Sequence, residues 1–244
     1  MRPDASKKLA AAAPKKGPNP VVIGAVIGVL VIVAVVVAIV MGTKDTSGGG
    51  GSALPTGALA GAGAGIVAST TAAKSGVPTL DIFEDFQCPV CGQFEKAFGA
   101  TLTSMADAGE VKLVVHTLSF LDTNLKNDSS TRAANAVACA SDAGKFLEYH
   151  SAVFAAQPVK EGDGYTDAQL TEFATTAGIT GPALTTWQKC TSTGQHAQYV
   201  TDVQTAAEKE NVFGTPTVKL DGKDITKSLS TPDTLIAQIK AATK

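Results

Sequence analysis

The protein has 244 residues, 20 basic and 22 acidic, a formal charge of −2, and four cysteines. After Met41 there are 15 basic and 21 acidic residues, a net −6 that argues against nucleic acid as a partner. No metal, nucleotide or flavin motif is present, so no cofactor and no metal site are expected.

Residues 1–20 hold Arg2, Lys7, Lys8, Lys15 and Lys16 against one acid, Asp4. Residues 21–41 then run without a charge or strongly polar side chain. A helix of that length spans about 30 Å, the thickness of a bilayer's hydrocarbon core. Its Val and Ile content would favour a strand in water, but in lipid the backbone must bond to itself. A secretory leader has a shorter apolar run, about 7–15 residues, with a small-residue cleavage site close behind. Ala58-Leu59-Ala60 has that form but lies far from the run. The expectation is an uncleaved transmembrane anchor over 21–41, with the basic tail 1–20 cytoplasmic and everything after Met41 outside. Gly24 and Gly28 make a G-x-x-x-G face that could pair helices. Residues 42–65, rich in Gly, Ser and Ala, read as a flexible tether reaching roughly 25 Å.

From residue 66 to the C-terminus the chain is long enough for one domain with a sizeable core. Strand patterns cover 79–86, 111–118, 217–220 and 224–226, with an edge strand at 66–69. Asp221-Gly222 signals a hairpin turn. A helix follows Pro89, with the apolar stripe Cys91, Phe94, Phe98, Leu102, Met105. From about 121 to 211 the pattern is helical throughout. Phe146, Tyr149, His150, Val153 and Phe154 form one stripe. Thr166 with Gln169 is a capping box for a helix carrying Leu170 and Phe173, with Gly178 as its stop. Pro182 opens another, with Leu184, Trp187 and Cys190, and Tyr199, Val200 and Val203 mark one more. The last helix has Thr231 as N-cap and Pro232 as its first residue, and turns Leu235, Ile236 and Ile239 inward. The class is α/β.

Phe86-Gln87-Cys88-Pro89-Val90-Cys91 carries the chemistry. Pro89 sits where a helix wants its first residue, so Cys88 lies at the positive end of the helix dipole, where a thiolate is stabilised. Cys91 lies on the buried stripe. One exposed, acidified thiol with a buried partner is what thiol–disulfide exchange needs. The same spacing also serves as half a zinc site or as a local structural bridge. Zinc needs four ligands, commonly from two such pairs, and neither Cys139 nor Cys190 belongs to a second Cys-x-x-Cys.

Cys139 and Cys190 stand 51 positions apart on two predicted helices. Outside the cytoplasm an even cysteine count favours a structural disulfide between them; the alternative is two buried thiols behaving as small hydrophobes. His116, His150 and His196 have no second ligand at a useful spacing and read as structural histidines. Trp187 reads as core. Glu84 and Asp85 either tune the Cys88 thiol or are solvated charges at a strand end.

Three motifs in order, Phe86 to Cys91, then Gly144-Lys145-Phe146-Leu147-Glu148-Tyr149-His150, then Phe213-Gly214-Thr215-Pro216-Thr217-Val218, resemble the DsbA-like branch of the thioredoxin superfamily. More narrowly, they resemble its membrane-anchored actinobacterial oxidoreductases. The resemblance runs from about Val77 to the C-terminus. It implies a thioredoxin fold, β-α-β then β-β-α, with a helical insertion. It also implies Cys88 as nucleophile, Cys91 as resolving thiol, and Thr215-Pro216 as the cis-proline step that binds substrate backbone. The family's acid six positions before the first cysteine is Ile82 here, and Val90 stands where strongly oxidising members often carry His. The implied activity is a dithiol oxidase acting on exported, cysteine-containing clients and re-oxidised by a membrane partner of the DsbB or vitamin K epoxide reductase type. A reductase or isomerase kept reduced by a donor, and a redox-inert tethered binding or chaperone-like module, are the other readings.

Overall fold

The computed structural model describes residues 54–69 and 71–244. The expected basic tail, the anchor at 21–41 and the tether as far as residue 53 lie outside the described residues. Among the described residues no helix is long and apolar enough to cross a membrane.

The strands are β1 (Ile66–Val67), β2 (Thr79–Glu84), β3 (Lys112–Thr117), β4 (Thr217–Leu220) and β5 (Lys223–Asp224), in one mixed sheet of order β1-β3-β2-β4-β5. β2 and β3 are parallel, from Thr79 opposite Lys112 to Glu84 opposite Thr117. Helix α1 (Pro89–Asp107) connects them. β4 flanks β2 antiparallel, with Ile82 opposite Val218, and β1 pairs antiparallel with β3. As the central strand, β2 buries Leu80, Ile82, Phe83 and Glu84. α1 covers the sheet with Phe98, Leu102, Met105 and Ala106, and α8 (Pro232–Ala242) packs beside it with Leu235 and Ile239.

Four expected strands, 66–69, 79–86, 111–118 and 224–226, are shorter than their patterns, and two of the stops have a visible cause. β2 stops at Glu84 because the Asp85 side chain accepts the Gln87 N–H at 2.9 Å and its carbonyl accepts the Cys88 N–H at 2.9 Å, which turns the chain. β5 stops at Asp224, whose carboxylate accepts the Thr226 N–H at 2.8 Å and starts a 3-10 turn over Thr226–Ser228.

Between β3 and β4 lie α2 (Phe120–Leu125), α3 (Ser129–Asp142), α4 (Phe146–Ala155), α5 (Asp167–Thr176), α6 (Gly181–Ser192) and α7 (Ala197–Lys209). α3 is buried almost all round, and its small side chains Ala133, Ala134, Ala136, Ala138 and Ala140 let α4, α6 and α7 close on it. Trp187 is core, its Nε1 donating to the Ala136 carbonyl at 3.0 Å. The Thr166–Gln169 box caps α5, and Thr231 with Thr234 caps α8.

The tether expectation is corrected at its C-terminal end, because residues 54–65 are folded onto the domain. Thr56 N–H donates to Asp142 Oδ1 at 2.8 Å, Ser141 Oγ donates to the Thr56 carbonyl at 2.7 Å, and Tyr199 Oη donates to the Ala64 carbonyl at 2.8 Å. A side chain at Gly63 would collide with the Asp202 backbone, so glycine here serves close packing.

Candidate active site around Cys88 and Cys91

The motif sits at the carboxyl end of the central strand. Cys88 is the N-cap of α1 with extended φ −76° and ψ 116°, and Pro89 opens the helix. Cys88 and Cys91 are free thiols in this structure. The expected exposure of Cys88 is corrected: it is 7% accessible, against 0% for Cys91. From the β4 side comes the Thr215–Pro216 peptide, which is cis, and Cys88 Sγ donates to the Thr215 carbonyl at 3.5 Å.

The two thiols have opposite acidities. Hydrogen bonding from the Cys91 thiol, then from Thr215 and the Cys91 and Val90 amides, lowers Cys88 to about 6 against the opposing effect of partial burial. Burial pushes Cys91 far above the ordinary thiol range, and the charges of Cys88 and Glu84 push it the same way. Reduction of a disulfide here therefore leaves one thiolate, on Cys88, and one thiol.

Glu84 and Asp85 are buried at 2% and 0% accessibility, so the solvated-charge alternative is corrected for both. Glu84 pairs with His150 Nε2 of α4. On the far side of the ring, Nδ1 is buried without a hydrogen bond, 3.8 Å from Glu95 Oε1, which accepts from Ser151 Oγ at 3.0 Å. Phe86, Phe146 and Phe154 wall the imidazole in. Burial works against the charge on His150, but the Glu84 and Glu95 carboxylates carry it up to about 9. The position six residues before Cys88, Ile82, is apolar core; the buried acid whose charge reaches Cys91 is Glu84.

Asp85 anchors a polar network beneath the motif. Its Oδ1 accepts from Ser130 Oγ at 2.5 Å and its Oδ2 from the Leu121 N–H at 3.3 Å. Burial raises its carboxyl to about 7. Gln87 Nε2 has three acceptors within reach of its two N–H groups, on Asp122, Asn127 and Ser130 at 3.0, 2.9 and 2.9 Å. Two further side chains hold the motif's carbonyls. Gln157 Nε2 donates to Phe86 O at 2.8 Å and Cys88 O at 2.9 Å, and Tyr165 Oη donates to Phe86 O at 2.9 Å. Sequence reasoning singled out Glu84 and Asp85 beside the motif but missed His150, Gln157 and Tyr165 as its neighbours.

Val90 and Phe213 are exposed at 55% and 73%, and Val90 lines a groove with Phe94, Phe98, Pro216 and Leu229. Away from the site, Cys139 and Cys190 form a disulfide, S–S 2.00 Å, between α3 and α6. His196 lies beside those sulfurs, which are bonded to each other rather than available as thiolates, and its Nε2 contacts Asp142 Oδ2 at 2.7 Å. His116 Nε2 lies 3.0 Å from Asp81 Oδ1.

A sheet of this order with an acidified thiol at a helix N-terminus and a second thiol buried one turn on defines a protein built for thiol–disulfide exchange. The family model described as Thioredoxin matches residues 70–241, and the chain belongs to that family. The reduced DsbA of Mycobacterium tuberculosis is 32% identical, with a TM-score of 0.60, over 72% of this chain and 90% of that one. The reduced disulfide bond oxidoreductase DsbG of the same organism is also 32% identical, with a TM-score of 0.60, over 72% of this chain and 85% of that one. A stretch of 147 residues is 28% identical to the serine/threonine-protein kinase PknE of Mycobacterium tuberculosis, 57% of this chain and 26% of that protein. The chain thus spans about a quarter of the length of the curated relatives it matches. The described domain is a protein thiol:disulfide oxidoreductase.

Proposed function

We propose that this oxidoreductase works outside the cytoplasm as a dithiol oxidase, held to the membrane by residues 21–41. The observation that carries the direction is the opposed acidity of the pair. A Cys88 thiol lowered to about 6 is thiolate at neutral pH, which favours the reduced enzyme, and whatever stabilises the reduced enzyme makes its disulfide a better oxidant. The long apolar run and its basic flank support the anchor.

A client thiolate attacks Cys88 Sγ of the Cys88–Cys91 disulfide. The Cys91–Cys88 bond breaks, Cys91 leaves with the electron pair and takes up a proton. A second client thiolate attacks the client sulfur of the mixed disulfide and releases Cys88 as a thiolate. Two electrons have passed to the enzyme, and one disulfide has formed in the client. Thr215 and Pro216 hold the client's main chain beside Cys88, and the groove by Val90 and Phe94 takes apolar side chains near the reacting cysteine. A membrane partner of the DsbB or vitamin K epoxide reductase type removes the two electrons. The Cys139–Cys190 bridge stabilises the insertion without entering the chemistry.

The reduction potential of the pair tests the direction. An oxidase requires a value above about −200 mV; a value near that of thioredoxin, about −270 mV, would transfer the assignment to a reductase. Membrane fractionation tests the tether, since a mature protein that begins after Met41 and is released in soluble form would remove the anchor.

A further inference from the structure

The loop after α4 reaches back from the helical insertion to the cysteine motif through one side chain. Gln157 Nε2 carries two N–H donors, and both go to carbonyls of the motif, Phe86 O at 2.8 Å and Cys88 O at 2.9 Å. The Cys88 carbonyl also accepts the Gly92 N–H at 3.2 Å, the first intrahelical bond of α1. Both lone pairs of that oxygen are therefore engaged, one by the helix and one by the insertion. Gln157 Oε1 lies against Gly92, where an added methyl would overlap the Gln157 amide; the nearest atoms it would meet all belong to that side chain.

This clamp acts at the N-cap, the residue whose backbone angles decide where the first-turn N–H groups point. Pro89 has no N–H, so Val90 and Cys91 carry the first N–H groups of the helix start that Cys88 caps, those available to a thiolate there. A Cys88 carbonyl free to rotate would swing the Cys88–Pro89 peptide plane and carry those amides off the sulfur.

We propose that Gln157 is a positioning residue for exchange at Cys88: by bridging the Phe86 and Cys88 carbonyls it fixes the helix N-terminus against which the Cys88 sulfur rests. This rests on Cys88 being the nucleophile. The insertion thereby contributes to the reactivity of a cysteine on the sheet-and-helix core, through a contact whose size limit is set by Gly92.

The test is the pH profile of Cys88 alkylation by iodoacetamide in the full chain with the motif reduced, the modified site read by peptide mass. Gln157→Met keeps the side chain's volume and removes both donors. Gly92→Ala leaves Gln157 in place and pushes its amide off the carbonyls. Each should move the midpoint upward, slowing alkylation about tenfold near pH 5 while the rates merge with wild type above about pH 9. In a Gln157→Ala background the methyl of Gly92→Ala has room, so the double variant should match Gln157→Ala alone. A merely structural role would lower the melting temperature and leave the midpoint in place. The proposal is overturned if folded Gln157→Met follows the wild-type profile, or if Gly92→Ala slows alkylation equally in both backgrounds. A wild-type Cys88 without a depressed midpoint would instead remove the nucleophile assignment on which the proposal stands, so the two failures are told apart by the wild-type curve.

Discussion

Glu84 and His150, 66 positions apart in the chain, pair inside the core, with the Glu84 charge reaching the buried Cys91 thiol. One comes from the central strand and the other from the insertion, so the pair ties the two parts together at the level of the motif. Neither charge has access to water worth the name, at 2% and 5% side-chain accessibility.

His150→Leu should therefore be strongly destabilising, by about 3–5 kcal/mol, because it leaves a buried carboxylate without its partner. Replacing both residues with Leu should recover most of that loss. The sign with pH follows from the imidazole, which is raised to about 9 in the fold and near its ordinary value when unfolded. Its stabilisation is fully present below about pH 6.5 and is lost as pH rises through about 9. Urea unfolding midpoints between pH 6 and 10 should fall for wild type and stay flatter for the double variant.

Asp85 has the opposite charge type and the same direction of pH dependence. Its folded carboxyl is raised to about 7, so the folded protein holds this proton more tightly than the unfolded chain does. The contribution is fully present below about pH 4 and fades as pH rises to about 7, by an amount on the order of 3–4 kcal/mol. Asp85→Asn should flatten that stretch of the stability profile. Unfolding midpoints that keep the wild-type slope between pH 4 and 7 in this variant would refute the assignment.

Cys91→Ala should accumulate mixed disulfides through Cys88, since no second thiol is left to displace the client. Cys88→Ala should accumulate none, because Cys91 is fully buried and held as a thiol. Non-reducing gels with peptide mapping read this directly, and client adducts on Cys91 would reverse the roles.

Replacing Cys139 and Cys190 together with Ala should cost about 4 kcal/mol by loop-closure entropy for a separation of 51 residues. The melting temperature should fall while the alkylation rate of Cys88, assayed well below melting, stays within about twofold of wild type.

The parts legible in the sequence are those decided within a turn or two of chain. The Thr231 and Thr166 caps, the α1 stripe through Phe98 and Leu102, and the 217–220 strand all depend on neighbours at fixed short offsets. The motif's helix start is local in the same way, since Pro89 and Cys88 are adjacent. His150 could be placed on an apolar stripe, but its partner Glu84 comes from another element, and no periodicity reports that pairing. Gln157 follows α4 in a stretch with no pattern at all, and its role appears only when the loop is folded against Phe86 and Cys88. Residues 54–65 misled for a different reason: Gly and Ala suit a loose tether and close packing equally, and composition does not choose between them.

The depth of Cys88 also bears on damage. A peroxide that reaches this sulfur would convert the thiolate to a sulfenic acid, the first rung of a ladder that ends in irreversible sulfinic and sulfonic acids. At 7% accessibility a second oxidant molecule has little room to approach, while the Cys91 thiol stands three residues on in the first turn of the same helix. Attack by Cys91 on the sulfenic sulfur expels the oxygen as water and closes the Cys88–Cys91 disulfide. An encounter that would ruin an isolated, exposed thiolate thus ends here in a disulfide that exchange can reopen.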